Sequence, residues 1–505
     1  MASGREFYAG SRTFEWLALI VGLPIDQFNF LICQFIALLL AIVYKKILPP
    51  NKVTPEIRHT VALMMGIVLG YFCFGHQISH LCVLGTLSYI IMNNVNPQIM
   101  HRGVLFVALL YLSSLHLLRL TYDYGGWTLD ITGPVMIATQ KVSSVAFSLH
   151  DGLARPEEKL SLDQKRYALR QSPSMLEFFS YIFHFQALMC GPLMFYKDYI
   201  EFIEGKPYNR VKHPQNKLVD EITKQLVYQG PPMEQVMQKV AVSIFFALFL
   251  MIVVPHFPIT YLTEDKFLSE TPWHAQMLYI LVATSVVRSK YYHAWLLGEA
   301  VCNAAGQGFS GFSSDNQPKW DLLSNVDIVR FELSVNFRES LETWNKTTQN
   351  WLKMIAYDRA ARHKTLVTYI LSAIWHGFYP GYYFTFLGGA LLTMAARSVR
   401  RSVRPYFQTS RPMAVFYDIL SCLATRVALA YIVFPFILLE SMASLKVYWN
   451  FYFSGHIIAL LAIFVLPVVL PPPKKSGKSS SAENDKLIPS ASDISEFLQP
   501  PTSCS

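Results

Sequence analysis

The chain has 505 residues, of which 52% are hydrophobic, 14% aromatic and only 15% charged, and its net charge is +9. Soluble domains carry roughly 25% charged residues, so this composition excludes a soluble enzyme of this size, a disordered chain and a disulfide-stapled secreted domain. A multi-spanning membrane protein is the class that remains, and in that class an excess of Lys and Arg reports orientation rather than nucleic-acid binding.

Residues 1–26 form an N-terminal segment. Its first 13 residues are polar, and the weakly apolar 14–24 lacks the small-residue site of a cleavable signal peptide. The membrane-embedded body covers 27–471. Judged against the roughly 20 residues that a helix needs to cross a bilayer, apolar runs lie near 27–44, 59–75, 78–92 and 103–120. Weaker runs follow near 132–149 and 174–195, then a strong one at 236–254. Weaker runs near 275–307, 365–379 and 381–396 precede the strong pair 413–435 and 449–470. This pattern predicts an all-α protein with about eleven membrane helices. Polar residues interrupt several of them and make those segments re-entrant or buried behind others. A polar, charged stretch at 155–172 reads as an amphipathic helix along the interface. Residues 472–505 are rich in Pro, Ser and Lys and predict a disordered cytosolic tail.

Loop charges set sidedness. Lys45, Lys46, Lys52 and Arg58 follow the first span against a single Glu56, and Arg397, Arg400, Arg401, Arg404 and Arg411 occupy a loop without acids. Lys474, Lys475 and Lys478 open the tail. All three groups are predicted to be cytosolic, whereas Glu264, Asp265, Lys266 and Glu270 mark a lumenal loop. The seven cysteines are scattered and form no C-x-x-C pair, and no H-E-x-x-H spacing occurs, so neither a disulfide framework nor a metal is expected. Walker loops, dinucleotide-binding glycine motifs and the G-x-S-x-G elbow are also missing from the sequence.

Two residues stand out against this background. His376 lies in Ser372-Ala373-Ile374-Trp375-His376-Gly377, twelve residues beyond the basic group Arg359, Arg362, His363 and Lys364. At about 1.5 Å per residue it is roughly 18 Å deep in a core about 30 Å thick, a depth at which ionisable groups are rare and usually functional. Gly377, Pro380 and Gly381 then interrupt the helix. A neutral imidazole there suits a general base, and a histidine bonded to a neighbouring helix is the structural alternative. Asn345 lies in the polar stretch 308–364, within a predicted amphipathic helix whose stripe is Leu341, Trp344, Thr348, Trp351, Leu352 and Ile355. A carboxamide can donate to an oxyanion or orient a hydroxyl. Asn345-Lys346-Thr347 is also an N-x-S/T sequon, so a glycan and a plain interhelical contact are its other readings. Tyr291, Tyr292 and Trp295, after Arg288 and Lys290, read equally as an interfacial aromatic belt.

A Trp-Asn in an amphipathic helix, followed 31 residues later by an intramembrane Trp375-His376-Gly377, resembles the membrane-bound O-acyltransferase family. Tyr379-Pro380-Gly381-Tyr382-Tyr383, Gln140-Lys141, His150-Asp151-Gly152, Asn303-Ala304-Ala305-Gly306 and Ser324-Asn325 are similar to its lysophospholipid acyltransferase branch, the type that acylates lysophosphatidylethanolamine and lysophosphatidylserine. The chain departs from the branch at Arg288-Ser289-Lys290-Tyr291-Tyr292-His293, where Arg-Pro-Lys-Tyr-Tyr-Phe is usual, and at Trp344-Asn345-Lys346-Thr347, where Trp-Asn-Ile-Gln is usual. The resemblance implies a central chamber open to acyl-CoA from the cytosol, with oleoyl-CoA favoured, and a multi-pass location in the endoplasmic reticulum membrane. It further implies catalysis by His376 and Asn345 without a cofactor, the phosphates of CoA being held by cytosolic Arg and Lys residues. A sibling that acylates a protein or a sterol, and a proton-coupled transporter with His376 as relay, are the competing readings.

Overall fold

Proline, glycine and polar positions decide where the apolar runs become helices and where those helices stop. The computed structural model describes residues 8–126, 128–206, 230–314 and 317–473. The first half builds α1 (Glu15–Val21), α2 (Ile25–Ile47), α3 (Pro55–Phe74), α4 (Ser79–Asn94), α5 (Met100–Tyr122) and α6 (Thr132–Leu153). Shorter pieces follow: α7 (Leu162–Tyr167), α8 (Met175–Phe183) and α9 (Tyr196–Ile203). After the undescribed 207–229 come α10 (Met233–Val253), α11 (Asp265–Glu270) and α12 (Trp273–Ala304), then a two-stranded hairpin of β1 (Gly311–Phe312) and β2 (Pro318–Lys319). The remainder is α13 (Ile328–Glu332), α14 (Phe337–Thr343), α15 (Lys346–Leu352), a π-type turn Lys353–Tyr357, α16 (Lys364–His376), α17 (Pro380–Ser402), α18 (Arg411–Leu438), α19 (Ser441–Asn450), α20 (Ser454–Phe464) and α21 (Leu466–Val469).

Among the described residues, five helical runs are long and apolar enough to cross a membrane: Ile25–Ile47, Pro55–Asn94, Met100–Tyr122, Met233–Thr263 and Arg411–Leu438. The pair Ser441–Asn450 and Ser454–Val469, bent by 73°, adds a sixth if it is one span. Leu39, Phe106, Phe245 and Leu423 are exposed on these helices, as residues facing hydrocarbon should be. The run Pro55–Asn94 turns at Gly75 (φ 58), so that α3 and α4 flank α8. A Cβ on Gly66 of α3 would collide with the Phe183 carbonyl, and one on Gly85 of α4 would lie 2.9 Å from Ile182 Cδ1. Both glycines let α8 approach closely.

Several predicted elements are shorter than the sequence pattern implied. The run 174–195 contains only the nine-residue α8, started by a reciprocal capping box between Ser174 and Glu177, and the chain then runs irregularly to α9. The stretch 155–172 holds the six-residue α7, capped by Ser161 and Gln164, rather than a long interfacial helix. Residues 1–7 and 474–505, with the predicted tail and its lysines, lie outside the described residues.

The chain forms two compact units. The larger comprises Met1–Val326, Trp344–Ala390 and Ala430–Tyr452, and the smaller Asp327–Thr343, Leu391–Leu429 and Phe453–Ser505. Helix α6 is the axis of the larger unit: sixteen of its 22 residues are buried, including Thr139, Gln140, Lys141, Ser143 and Ser144. Buried polar groups are ordinarily hydrogen-bonded, and Gln140, Lys141, Ser143 and Ser144 all make such bonds. The fully buried Lys141 donates from Nζ to the carbonyls of Tyr181 and Ile182, each at 3.0 Å. These are carbonyls of the last turn of α8, where a cation also complements the helix dipole. At the other end of α6, Arg359 grips the buried Asp151 with two bonds of 2.9 and 2.6 Å, and Arg155 adds a third of 2.8 Å. This triad ties the chain before α16 to the end of α6. Removing one partner of a buried ion pair costs about 3–5 kcal/mol. Asp151→Ala is therefore expected to lower the unfolding temperature markedly in detergent, measured by intrinsic fluorescence, and an unchanged midpoint would contradict this role.

Candidate active site

Asn345 does not lie inside a continuous helix. It separates α14 from α15 in a left-handed conformation (φ 47, ψ 49), which asparagine tolerates better than most residues. The break has a non-local cause. Trp344 forms an isolated antiparallel bridge with Val326, and the Lys346 N–H donates to the Asn325 carbonyl at 2.8 Å. Asn325 also caps α15: its Oδ1 accepts from the Thr347 N–H (3.1 Å) and the Thr347 hydroxyl (2.8 Å). Asn345 occupies the N-cap position but makes no side-chain cap bond. Its half-buried carboxamide is thus left available for a ligand. The buried Thr347 hydroxyl of the sequon is committed to Asn325, an arrangement that does not favour a glycan at Asn345.

His376 is the last residue of α16. Its Nδ1 donates to the Ser372 carbonyl at 2.7 Å, which fixes the tautomer and leaves Nε2 with a lone pair. Among the described residues Nε2 has no hydrogen-bond partner. Rings of Trp375, Phe386, Phe436 and Tyr382 surround the imidazole with centroids 4.6, 4.7, 5.4 and 6.0 Å away. The next residue, Gly377 (φ 122, ψ −162), ends the helix in a conformation open essentially only to glycine.

Helix α6 positions both segments through one face. Met136, Gln140 and Ser143 recur at helical spacing. The Met136 carbonyl accepts from Trp375 Nε1 (3.0 Å), Gln140 Nε2 donates to the Thr348 hydroxyl (3.0 Å), and Ser143 Oγ accepts from Trp351 Nε1 (2.9 Å). Trp351 of α15 and Trp375 of α16 meet at 5.9 Å. Asn345 lies one turn before Thr348, and His376 adjoins Trp375, so a single helix face sets the positions of both candidates.

His116 supports the site from α5. Its Nε2–H donates to the Trp375 carbonyl at 3.1 Å, and a Cβ on Gly377 would come within 3.1 Å of its ring. Gly377→Ala should cost about 1–3 kcal/mol from backbone strain alone and displace the His376 ring. We expect that variant to lose activity and thermal stability together, and full activity in a purified sample would overturn this positioning. Tyr291, Tyr292 and Trp295 are not a lipid-facing belt: their rings contact Trp344 at 5.7, 5.9 and 4.9 Å and wall the position beside Asn345.

A separate cavity of about 410 Å³, lined in part by Tyr8, His76, His80, Tyr122 and Asp130, contains neither candidate.

Comparison with known proteins gives a consistent picture. Residues 116–434 match the membrane-bound O-acyltransferase (MBOAT) family. Over 484 residues the chain is 47% identical to "Lysophospholipid acyltransferase 6" of Drosophila melanogaster, covering 95% of this chain and 67% of that protein. It is 39% identical to "Membrane-bound glycerophospholipid O-acyltransferase 1" of Mus musculus, over 94% of this chain and 97% of that protein. It is also 39% identical to "Membrane-bound glycerophospholipid O-acyltransferase 2" of Homo sapiens, over 95% of this chain and 91% of that protein.

Proposed function

The chain belongs to the membrane-bound O-acyltransferase family, in its lysophospholipid branch, and from that premise we propose that it transfers an acyl group from acyl-CoA to the free glycerol hydroxyl of a lysophospholipid. Oleoyl-CoA is the proposed donor. Lysophosphatidylethanolamine and lysophosphatidylserine are the proposed acceptors, with lysophosphatidylcholine as a further candidate. The proposed setting is the endoplasmic reticulum membrane. In this reading about eleven segments embed in or behind the bilayer around a central chamber, the less apolar α6 and α12 being shielded by the outer spans.

His376 Nε2 takes the proton of the acceptor hydroxyl, and the oxygen attacks the thioester carbonyl. The Asn345 carboxamide donates to the oxyanion that forms. When the tetrahedral carbon collapses, the C–S bond breaks and the leaving thiolate takes the proton back from the imidazolium. The products are a diacyl phospholipid and free CoA. No cofactor enters the balance. The observation that carries this reading is the imidazole held through Nδ1 by the Ser372 carbonyl, with Nε2 unpartnered among the described residues in an aromatic enclosure. Purified protein incubated with labelled oleoyl-CoA and a panel of lysophospholipids tests it. Label should enter the ethanolamine and serine phospholipids, and label on a sterol or a protein instead would replace the assignment.

A further inference from the structure

Tyr379 lies three residues beyond His376, in the short break between α16 and α17, and it is buried. Neither the proton transfer nor the oxyanion uses it. Its hydroxyl accepts from the Gly125 N–H at 2.8 Å and donates to the Asp123 carbonyl at 3.4 Å. Both partners belong to the chain that leaves α5. Its ring meets that of Tyr382 at 5.6 Å, and the Tyr382 ring is one of those around the His376 imidazole.

The backbone that receives Tyr379 is organised by one guanidinium. Arg119, in the last turn of α5, donates from Nη1 to Asp130 Oδ1 at 3.0 Å. From Nη2 it donates to Asp123 Oδ2 (3.2 Å), the Gly126 carbonyl (3.2 Å) and the Thr128 carbonyl (2.8 Å). Asp130 is fixed in turn by the Tyr122 hydroxyl (3.1 Å) and the Thr132 N–H (3.0 Å). Carboxylates and carbonyls gathered on a planar fork are an arrangement that a lysine ammonium does not reproduce.

Arg119 follows His116 by one turn of α5. His116 holds the Trp375 carbonyl just before His376, and Arg119, through residues 123–126, holds Tyr379 just after it. Helix α5 therefore grips the chain on both sides of His376, across Gly377, the residue with the freest backbone in the break.

We propose that Arg119 and Tyr379 are positioning residues for His376, forming a second anchor that aims Nε2 at the acceptor hydroxyl. The proposal rests on the acyl-transfer reading. Neither residue touches the reacting atoms, and a misplacement of about 1 Å is enough to cost on the order of 10²-fold in rate.

The test compares Tyr379→Phe, which deletes the hydroxyl and keeps the ring, with Arg119→Lys, which keeps the charge and loses the fork, and with the double variant. All are purified full-length proteins assayed with oleoyl-CoA and the lysophospholipid that the unsubstituted protein uses best. Tyr379→Phe should lower kcat by on the order of 10- to 100-fold, with KM for both substrates unchanged and the unfolding temperature within a few degrees. Arg119→Lys should show the same split, and the double variant should be no slower than the slower single variant, because both substitutions break one linkage. A normal kcat in Tyr379→Phe overturns the proposal. So does a loss of kcat matched by a loss of folded protein, which would make the hydroxyl a structural bond only. Losses that multiply in the double variant overturn the linkage between the two residues. If the unsubstituted protein transfers no acyl group to any acceptor, the acyl-transfer reading itself fails and the anchor falls with it.

Discussion

His376→Ala is expected to lower acyl transfer by on the order of 10³-fold, within the range a positioned general base contributes. The loss should fall on turnover, with little change in KM for either substrate, because the imidazole acts on one proton of the acceptor and contributes little to holding the ligands. The structure gives reasons to expect a folded variant. The imidazole bonds only to a carbonyl of its own helix, while Trp375, Trp351 and Arg359 fasten the segment to α6 and its C-terminal end. Thermal unfolding and size-exclusion profiles should therefore stay close to those of the unsubstituted protein. His376→Asn keeps a donor to the Ser372 carbonyl but no base, and should be as inactive. Substantial turnover in either variant would remove His376 from the chemistry.

Asn345 requires a paired substitution, because the residue has both a backbone and a side-chain role. Losing one oxyanion donor costs roughly 10²–10³-fold in turnover. Asn345→Ala removes the carboxamide but also replaces asparagine, which tolerates the left-handed region, with a residue for which that region costs up to about 1–2 kcal/mol. Asn345→Gly removes the carboxamide without that strain. If the side chain acts in catalysis, both variants lose similar activity and the glycine variant is the more stable. If Asn345 only permits the break between α14 and α15, the glycine variant recovers activity. Asn345→Asp retains the shape and puts a negative charge where an oxyanion forms, so it should be no better than alanine.

The sequence singled out His376 because one ionisable residue in an apolar run is costly and therefore rare. Asn345 was legible as a residue but not as a conformation. The helical stripe through Trp344, Thr348 and Trp351 is genuine, yet the helix breaks at Asn345 because Val326 and Asn325, some twenty residues earlier, pair with its neighbours. No periodicity within the segment encodes that pairing. Helix α6 shows a different limit. Thr139, Gln140, Lys141, Ser143 and Ser144 make it a weak span by hydropathy, which measures transfer into lipid. The structure buries those groups against protein, where Thr348 accepts from Gln140, Trp351 donates to Ser143 and the end of α8 accepts from Lys141. The same blindness made Tyr291, Tyr292 and Trp295 ambiguous, since aromatic side chains suit an interface and a packed wall equally well.

The absence of a protein nucleophile is the central claim, and an acid-quench experiment tests it most directly. Purified protein is mixed with radiolabelled oleoyl-CoA in the absence of acceptor, denatured, and counted for protein-bound label. Direct transfer predicts no stoichiometric acyl-protein, with label passing into phospholipid only once lysophospholipid is added. A near-stoichiometric acyl-protein, released by hydroxylamine and discharged to lysophospholipid on chase, would contradict it.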